Sequence, residues 1–146
     1  MKLIKKIKKE SRSSLVAAWS IAVLLLVVSA CETDDPNEDP AANRDQFIGV
    51  WQVTENTGIN HPQFYQVNIV AGTADDQIFI EGLYNESNSR IEATISGLNL
   101  SIPSQISDNI SYIGSGMANT DYSQIDLNFT ADDGSGPDNV EAVLVP

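Results

Sequence analysis

Residues 90–102 read RIEATISGLNLSI, and their apolar side chains fall on every second position. Ile91, Ala93 and Ile95 alternate with Arg90, Glu92 and Thr94; Leu98, Leu100 and Ile102 then alternate with Asn99 and Ser101. A period of two gives an extended chain one apolar and one wet face, which describes a half-buried β-strand and not a helix. Between the two rows lies Ser96-Gly97, short enough for a tight hairpin in which Ile95 and Leu98 pair and the two apolar rows share a face.

The same pattern recurs on both sides. Ile125, Leu127 and Phe129 alternate with Asp126, Asn128 and Thr130, and less regular runs lie at 47–54, 65–70, 77–84, 110–117 and 140–145. Clusters of Gly, Asn, Asp, Ser and Pro separate them, the longer ones at 56–63, 114–123 and 131–139. The reading is all-β: eight short antiparallel strands forming an up-and-down barrel, with a β-sandwich as the alternative. Membrane barrels reverse the two faces and need strands of roughly 9–11 residues. These runs are shorter, so a water-facing domain over residues 45–146 is expected.

The N-terminus has a different composition. Lys2, Lys5, Lys6, Lys8, Lys9 and Arg12 precede an apolar run from Leu15 to Val28, the layout of an export signal. Even extended to Ala30 that run is shorter than the roughly 20 residues a membrane-spanning helix needs. The chain's single cysteine, Cys31, follows at once in Val28-Ser29-Ala30-Cys31, which resembles the lipobox of bacterial lipoproteins. The resemblance implies cleavage after residue 30, acyl chains such as palmitate on Cys31, and a lipid anchor in the cell envelope, at the outer membrane on its periplasmic or surface side. More than one acyl chain is needed for stable anchoring, at about 0.8 kcal/mol per buried methylene.

Residues 32–43, ETDDPNEDPAAN, hold five acids and two prolines without apolar periodicity, so residues 31–44 read as a lipidated cysteine and a disordered tether. Acids just after the lipidated cysteine also resemble the surface-export signals of Bacteroidota lipoproteins, which often begin with Lys or Gln where this chain has Glu32.

The whole-chain charge of −12 averages two unlike parts, because six of the eight basic residues precede Cys31. From Cys31 onward only Arg44 and Arg90 oppose 19 acids, a formal charge of −17 with no lysine. Such a surface repels phosphate backbones, which excludes nucleic acid as an expected partner.

Phe47-Ile48-Gly49-Val50-Trp51 opens the first strand and resembles the Gly-x-Trp motif of lipocalins, and Thr120-Asp121-Tyr122 before the seventh strand resembles their Thr-Asp-Tyr motif. The resemblance is to small lipocalin-like lipoproteins. It implies a barrel whose base is closed by Trp51, though the last strand lacks the lipocalin arginine. The expected inward set is Phe47, Trp51, Tyr65, Val67, Ile69, Ile78, Ile80, Leu98, Leu100, Ile102, Ile125, Leu127 and Phe129, bulky enough to fill an eight-stranded barrel. Candidate ligand contacts are Trp51, Phe64, Tyr65, Tyr112 and Tyr122.

His61, the only histidine, sits in the polar turn Asn60-His61-Pro62-Gln63 and lacks partners for a zinc site or a triad. Asp132, Asp133 and Asp138 surround Gly134 and Gly136, a weak candidate cation loop without the ligand spacing of an EF-hand. No phosphate loop or nucleophile elbow appears, so no cofactor and no catalysis are expected. Two functions stay open: a non-catalytic barrel that binds a small apolar or glycan ligand or a protein partner, and a filled barrel that docks on an envelope complex.

Overall fold

The computed structural model describes residues 40–146, so the lipobox, Cys31 and most of the expected tether lie outside the described residues. A short helix, α1 (Pro40–Asp45), leads into eight strands: β1 (Gly49–Glu55), β2 (Gln63–Ala71), β3 (Gln77–Glu81), β4 (Arg90–Ser96), β5 (Asn99–Ser107), β6 (Ile110–Ala118), β7 (Ile125–Asp132) and β8 (Asp138–Val145). They pair in chain order, and β1 also pairs with β8 through Val53↔Leu144 and Thr54↔Val143. The sheet is therefore a closed antiparallel up-and-down barrel, and the sandwich is ruled out.

Alternation sends one row of each strand inward. Trp51 and Val53, Val67 and Ile69, Ile78 and Ile80, Leu100 and Ile102, and Ile125, Leu127 and Phe129 are all buried, as is Phe47 ahead of β1. Tyr65 and Leu98 are only partly buried against this core, Tyr65 near a strand end and Leu98 in a turn. The bore is occupied by the protein's own side chains.

Several boundaries differ from the sequence reading. The β4–β5 turn is Gly97-Leu98, with Ser96↔Asn99 and Ile95↔Leu100 as partners. Gly97 takes the first turn position with φ +58, a left-handed conformation that glycine adopts without strain. The two-residue shift from the expected pairing keeps parity, so the apolar rows still share a face. Gly114 and Gly116, which the sequence reading shares between the run 110–117 and the connection 114–123, lie inside β6 opposite Phe129 and Leu127, so the run holds and the connection starts later. A Cβ on Gly114 would stand 2.5 Å from the Asn128 carbonyl oxygen, so only glycine allows β6 and β7 to approach this closely. Helix α1 occupies part of the expected tether, and the Arg44 guanidinium at its end donates to the Ala74 carbonyl (3.0 Å).

Pro103 breaks the β5 row. It cannot donate to a ladder, and β5 carries one extra residue between Ile102↔Gly114 and Gln105↔Tyr112, a bulge that reverses side-chain parity. Beyond it Ile106 points outward and is 77% exposed. Direct β4–β5 pairing covers only residues 94–96 of β4. Above that, Gln105 bridges the seam: its Oε1 accepts from Glu92 N–H (2.8 Å), and its Nε2 donates to Glu92 O (2.7 Å).

Candidate functional site

The barrel has two unlike ends. At the end where β1 begins, Trp51 donates its Nε1–H to the Phe47 carbonyl (2.9 Å), and the Phe47 and Tyr122 rings meet edge to face at 5.5 Å. The Tyr122 hydroxyl reaches Asn43 Oδ1 at 3.4 Å. This end is an aromatic plug, and Trp51 and Tyr122 belong to it. Phe64 lies on the outer wall, 73% exposed. Tyr65 and Tyr112 face inward at the opposite end, so the five expected ligand contacts form no single site.

At that opposite end β1 finishes on Glu55, which continues the inward row of Trp51 and Val53 and is fully buried. The Tyr65 hydroxyl donates to Glu55 Oε1 at 2.6 Å and accepts the Tyr84 N–H at 3.0 Å. Tyr84 lies in the short 3-10 turn Leu83–Asn85 with φ +64, and Asn85 follows with φ +58. Two successive non-glycine residues in this region are held against an intrinsic cost of about 1–3 kcal/mol each. Gly82, with φ +88, leads the chain into that turn, where a Cβ would meet the Gln66 carbonyl oxygen at 3.2 Å.

The Tyr84 hydroxyl donates to Asp138 Oδ2 (2.8 Å), and both Asp138 oxygens accept the Ile59 N–H at 3.0 Å. One chain of hydrogen bonds thus runs from Glu55 through Tyr65 and Tyr84 to Asp138, and Asp138 holds down the β1–β2 loop. Of the three aspartates of the acidic loop, only Asp138 takes part. Asp132 Oδ1 accepts from Gly134 N–H and Gly136 N–H, and Asp133 Oδ1 from Ser135 N–H and hydroxyl, which keeps the Asp133 carboxyl below its ordinary range. The three do not converge, and among the described residues no group of three or more His, Cys, Asp and Glu side chains is placed to hold a metal ion.

Among the described residues three buried side-chain atoms at this end have no hydrogen-bond partner: Glu55 Oε2, Gln63 Oε1 and the Tyr112 hydroxyl. Glu55 and Gln63 are register partners on β1 and β2, so their side chains leave the sheet side by side. The Ser89 hydroxyl spends its proton on the Leu83 carbonyl (3.0 Å). Neither arginine of the described residues reaches Glu55 or Asp138: Arg90 pairs with Glu81 at 2.8 Å over the Phe79 ring, and Arg44 pairs with Asp45 at the other end.

Burial pushes the Glu55 carboxyl above its ordinary range, the Tyr65 bond opposes that, and nearby Asp138 adds to it. Burial and the neighbouring carboxylates raise Tyr65 and Tyr84 as well, and burial with Glu86 and Asp108 nearby pushes Tyr112 up to about 12. All three phenols are protonated donors at neutral pH.

A shallow depression lies on the outer wall over β6–β8, beside Ile113, Asn128 and Glu141, and does not enter the bore. Sequence reading passed over Glu55 and Asp138 as members of a buried network. The signal was present in Trp51-Gln52-Val53-Thr54-Glu55, whose parity places a carboxylate on the apolar row.

No family model matches the chain, and no curated protein matches it. Among solved structures it is similar to a redesigned β-barrel, at 15% identity and a TM-score of 0.50, over 71% of this chain and 94% of that one. That likeness concerns the fold alone.

Proposed function

We propose that this protein is a lipid-anchored lipoprotein of the cell envelope, at the outer membrane, whose non-catalytic barrel recognises a small ligand, a glycan or a protein partner with the loops of its polar end. The observation that carries the choice of end is the set of orphaned buried polar atoms on Glu55, Gln63 and Tyr112, gathered where the bore meets the loops. Buried polar groups without partners are rare and call for a ligand or a role. The packed apolar interior argues against a large apolar ligand inside the bore. The non-catalytic reading is supported by tyrosines that stay protonated at neutral pH and by an Asp138 carboxyl already engaged by Ile59 and Tyr84.

The anchor rests on Val28-Ser29-Ala30-Cys31 and the basic, apolar run before it. Metabolic labelling of the full chain with an alkyne fatty acid, followed by membrane fractionation, tests it. The wild type is expected to carry label and sediment with the outer membrane, and Cys31→Ala to lose both. Equal labelling of the two would end the lipoprotein reading.

A second reading, a structural accessory docking on an envelope complex, is favoured by Ile106 and Ile113, exposed on neighbouring strands. Cross-linking in intact envelopes from Ile106→Cys separates the two. A single specific adduct supports docking through that wall, and its absence leaves the polar end as the contact surface.

A further inference from the structure

We propose that the polar end binds a primary alkylammonium group, held between Glu55 Oε2 and Gln63 Oε1. The inference rests on the polar end being the contact surface and names the chemistry recognised there. Both unpartnered atoms accept hydrogen bonds, they sit side by side on register partners, and no arginine of the described residues pairs with the Glu55 carboxyl. A cationic donor satisfies both.

Its shape follows from what is already occupied. A guanidinium binds best to both oxygens of a carboxylate, and Glu55 Oε1 is taken by the Tyr65 hydroxyl at 2.6 Å. Asp138 is also spent, on Ile59 and Tyr84. A hard divalent cation wants about six or more oxygens, but only one free carboxylate oxygen and one amide oxygen are offered. An ammonium has three donors in a compact head, enough to serve Glu55 Oε2 and Gln63 Oε1 together. Quaternary ammonium has no donor and leaves both unsatisfied.

The surroundings favour such a guest. Tyr65, Tyr84 and Phe129 place aromatic rings at this end, the last two edge to face at 6.1 Å, and aromatic faces attract cations. Glu86, Asp108, Asp132 and Asp133 line the neighbouring loops, and Arg90, the basic residue nearest this end, is paired with Glu81. The field at the mouth draws cations in. The β1–β2 loop follows Glu55 directly and is tied to β8 by Asp138 and by Thr57, whose hydroxyl accepts the Glu141 N–H at 2.8 Å.

The test uses the full lipidated chain in a non-ionic detergent, titrated at constant ionic strength and neutral pH with n-butylamine and with tetramethylammonium as the donor-free control. Calorimetry and the thermal midpoint are the readouts. Saturable binding of n-butylamine, absence of binding of tetramethylammonium, and loss of butylamine binding in Glu55→Gln are expected. Gln63→Leu should weaken binding about fivefold, as loss of one hydrogen bond does. Circular dichroism checks that both variants stay folded.

A free amine and a lysine side chain share this chemistry, so Nα-acetyl-lysine methylamide is titrated beside butylamine. Tighter binding of the lysine compound assigns the guest to a partner protein, and tighter binding of butylamine assigns it to a free amine. Equal responses to butylamine and tetramethylammonium, or undiminished binding in Glu55→Gln, would overturn the proposal. Such failure with Cys31-dependent labelling intact leaves the lipoprotein reading standing and removes the ligand class alone.

Discussion

Single residues at the two ends of β1 carry opposite chemistry. Trp51 buries an indole and satisfies its one donor on Phe47, whereas Glu55, on the same inward row, buries a carboxyl with one oxygen unpaired. Burying its ionised form costs stability, and the sign of its pH dependence follows. The folded-state pKa of Glu55 lies above the 4.5 of the unfolded chain, so the folded form holds the proton more tightly. The associated stability is fully present below pH 4.5 and is lost as pH rises through the folded value. Glu55→Gln keeps an acceptor for Tyr65 and removes the charge. Its stability should match the wild type below pH 4.5 and exceed it at pH 7 by about 1–2 kcal/mol, and paired melts across pH check this through the shift in midpoint. A wild type that is the more stable of the two at pH 7 would contradict the account. Gly114 makes the steric counterpart: Gly114→Ala drives a methyl into the Asn128 carbonyl and should cost about 1–3 kcal/mol, with a fall of roughly 4–8 °C in the melting midpoint per kcal/mol, measured by calorimetry.

Elements were legible where their apolar rows were uninterrupted. β4 and β7 follow the alternation of Ile91-Ala93-Ile95 and Ile125-Leu127-Phe129, because side-chain parity is a property of sequence alone. What escaped depends on contacts between strands. Register at Gly97-Leu98 is set by where glycine takes its left-handed φ, and the extension of β5 past Pro103 depends on a bulge that β6 stabilises. The turn at Tyr84 was hidden for the same reason: its left-handed backbone is held by a hydroxyl nineteen residues earlier in the chain. The seam these features create gives a local prediction. The Glu92 amide is protected by the side chain of Gln105 in place of a neighbouring strand. Gln105→Ala should therefore raise hydrogen exchange at Glu92 by an order of magnitude or more, with a loss of about 1 kcal/mol in global stability. The amides of β7, paired with strands on both sides, should be unchanged, and residue-resolved exchange by NMR reads both.

At the scale of the molecule the closed barrel was legible and the site was not. Eight sequentially paired strands with one apolar face leave few architectures, whereas the polar cluster joins β1, β2, β8 and the turn after β3, elements whose meeting only closure decides. Trp51 and Tyr65 look alike in sequence as aromatic residues of early strands, yet the β1–β2 register puts Trp51 opposite Val67 and Tyr65 opposite Val53, toward different ends. Charge also belongs to this scale. From Cys31 onward two arginines face 19 acids, and both arginines are already paired, so the surface repels itself. The range of that repulsion is set by screening, with a Debye length of about 30 Å at 0.01 M salt and 3 Å at 1 M. Across that interval the melting midpoint should rise by several degrees, most steeply at the low end, where screening first falls below the width of the barrel. Sodium chloride and potassium chloride should act alike if the effect is screening. A saturating response to one cation at millimolar concentration would instead reveal a specific ion site, and melting curves in both salts distinguish the two.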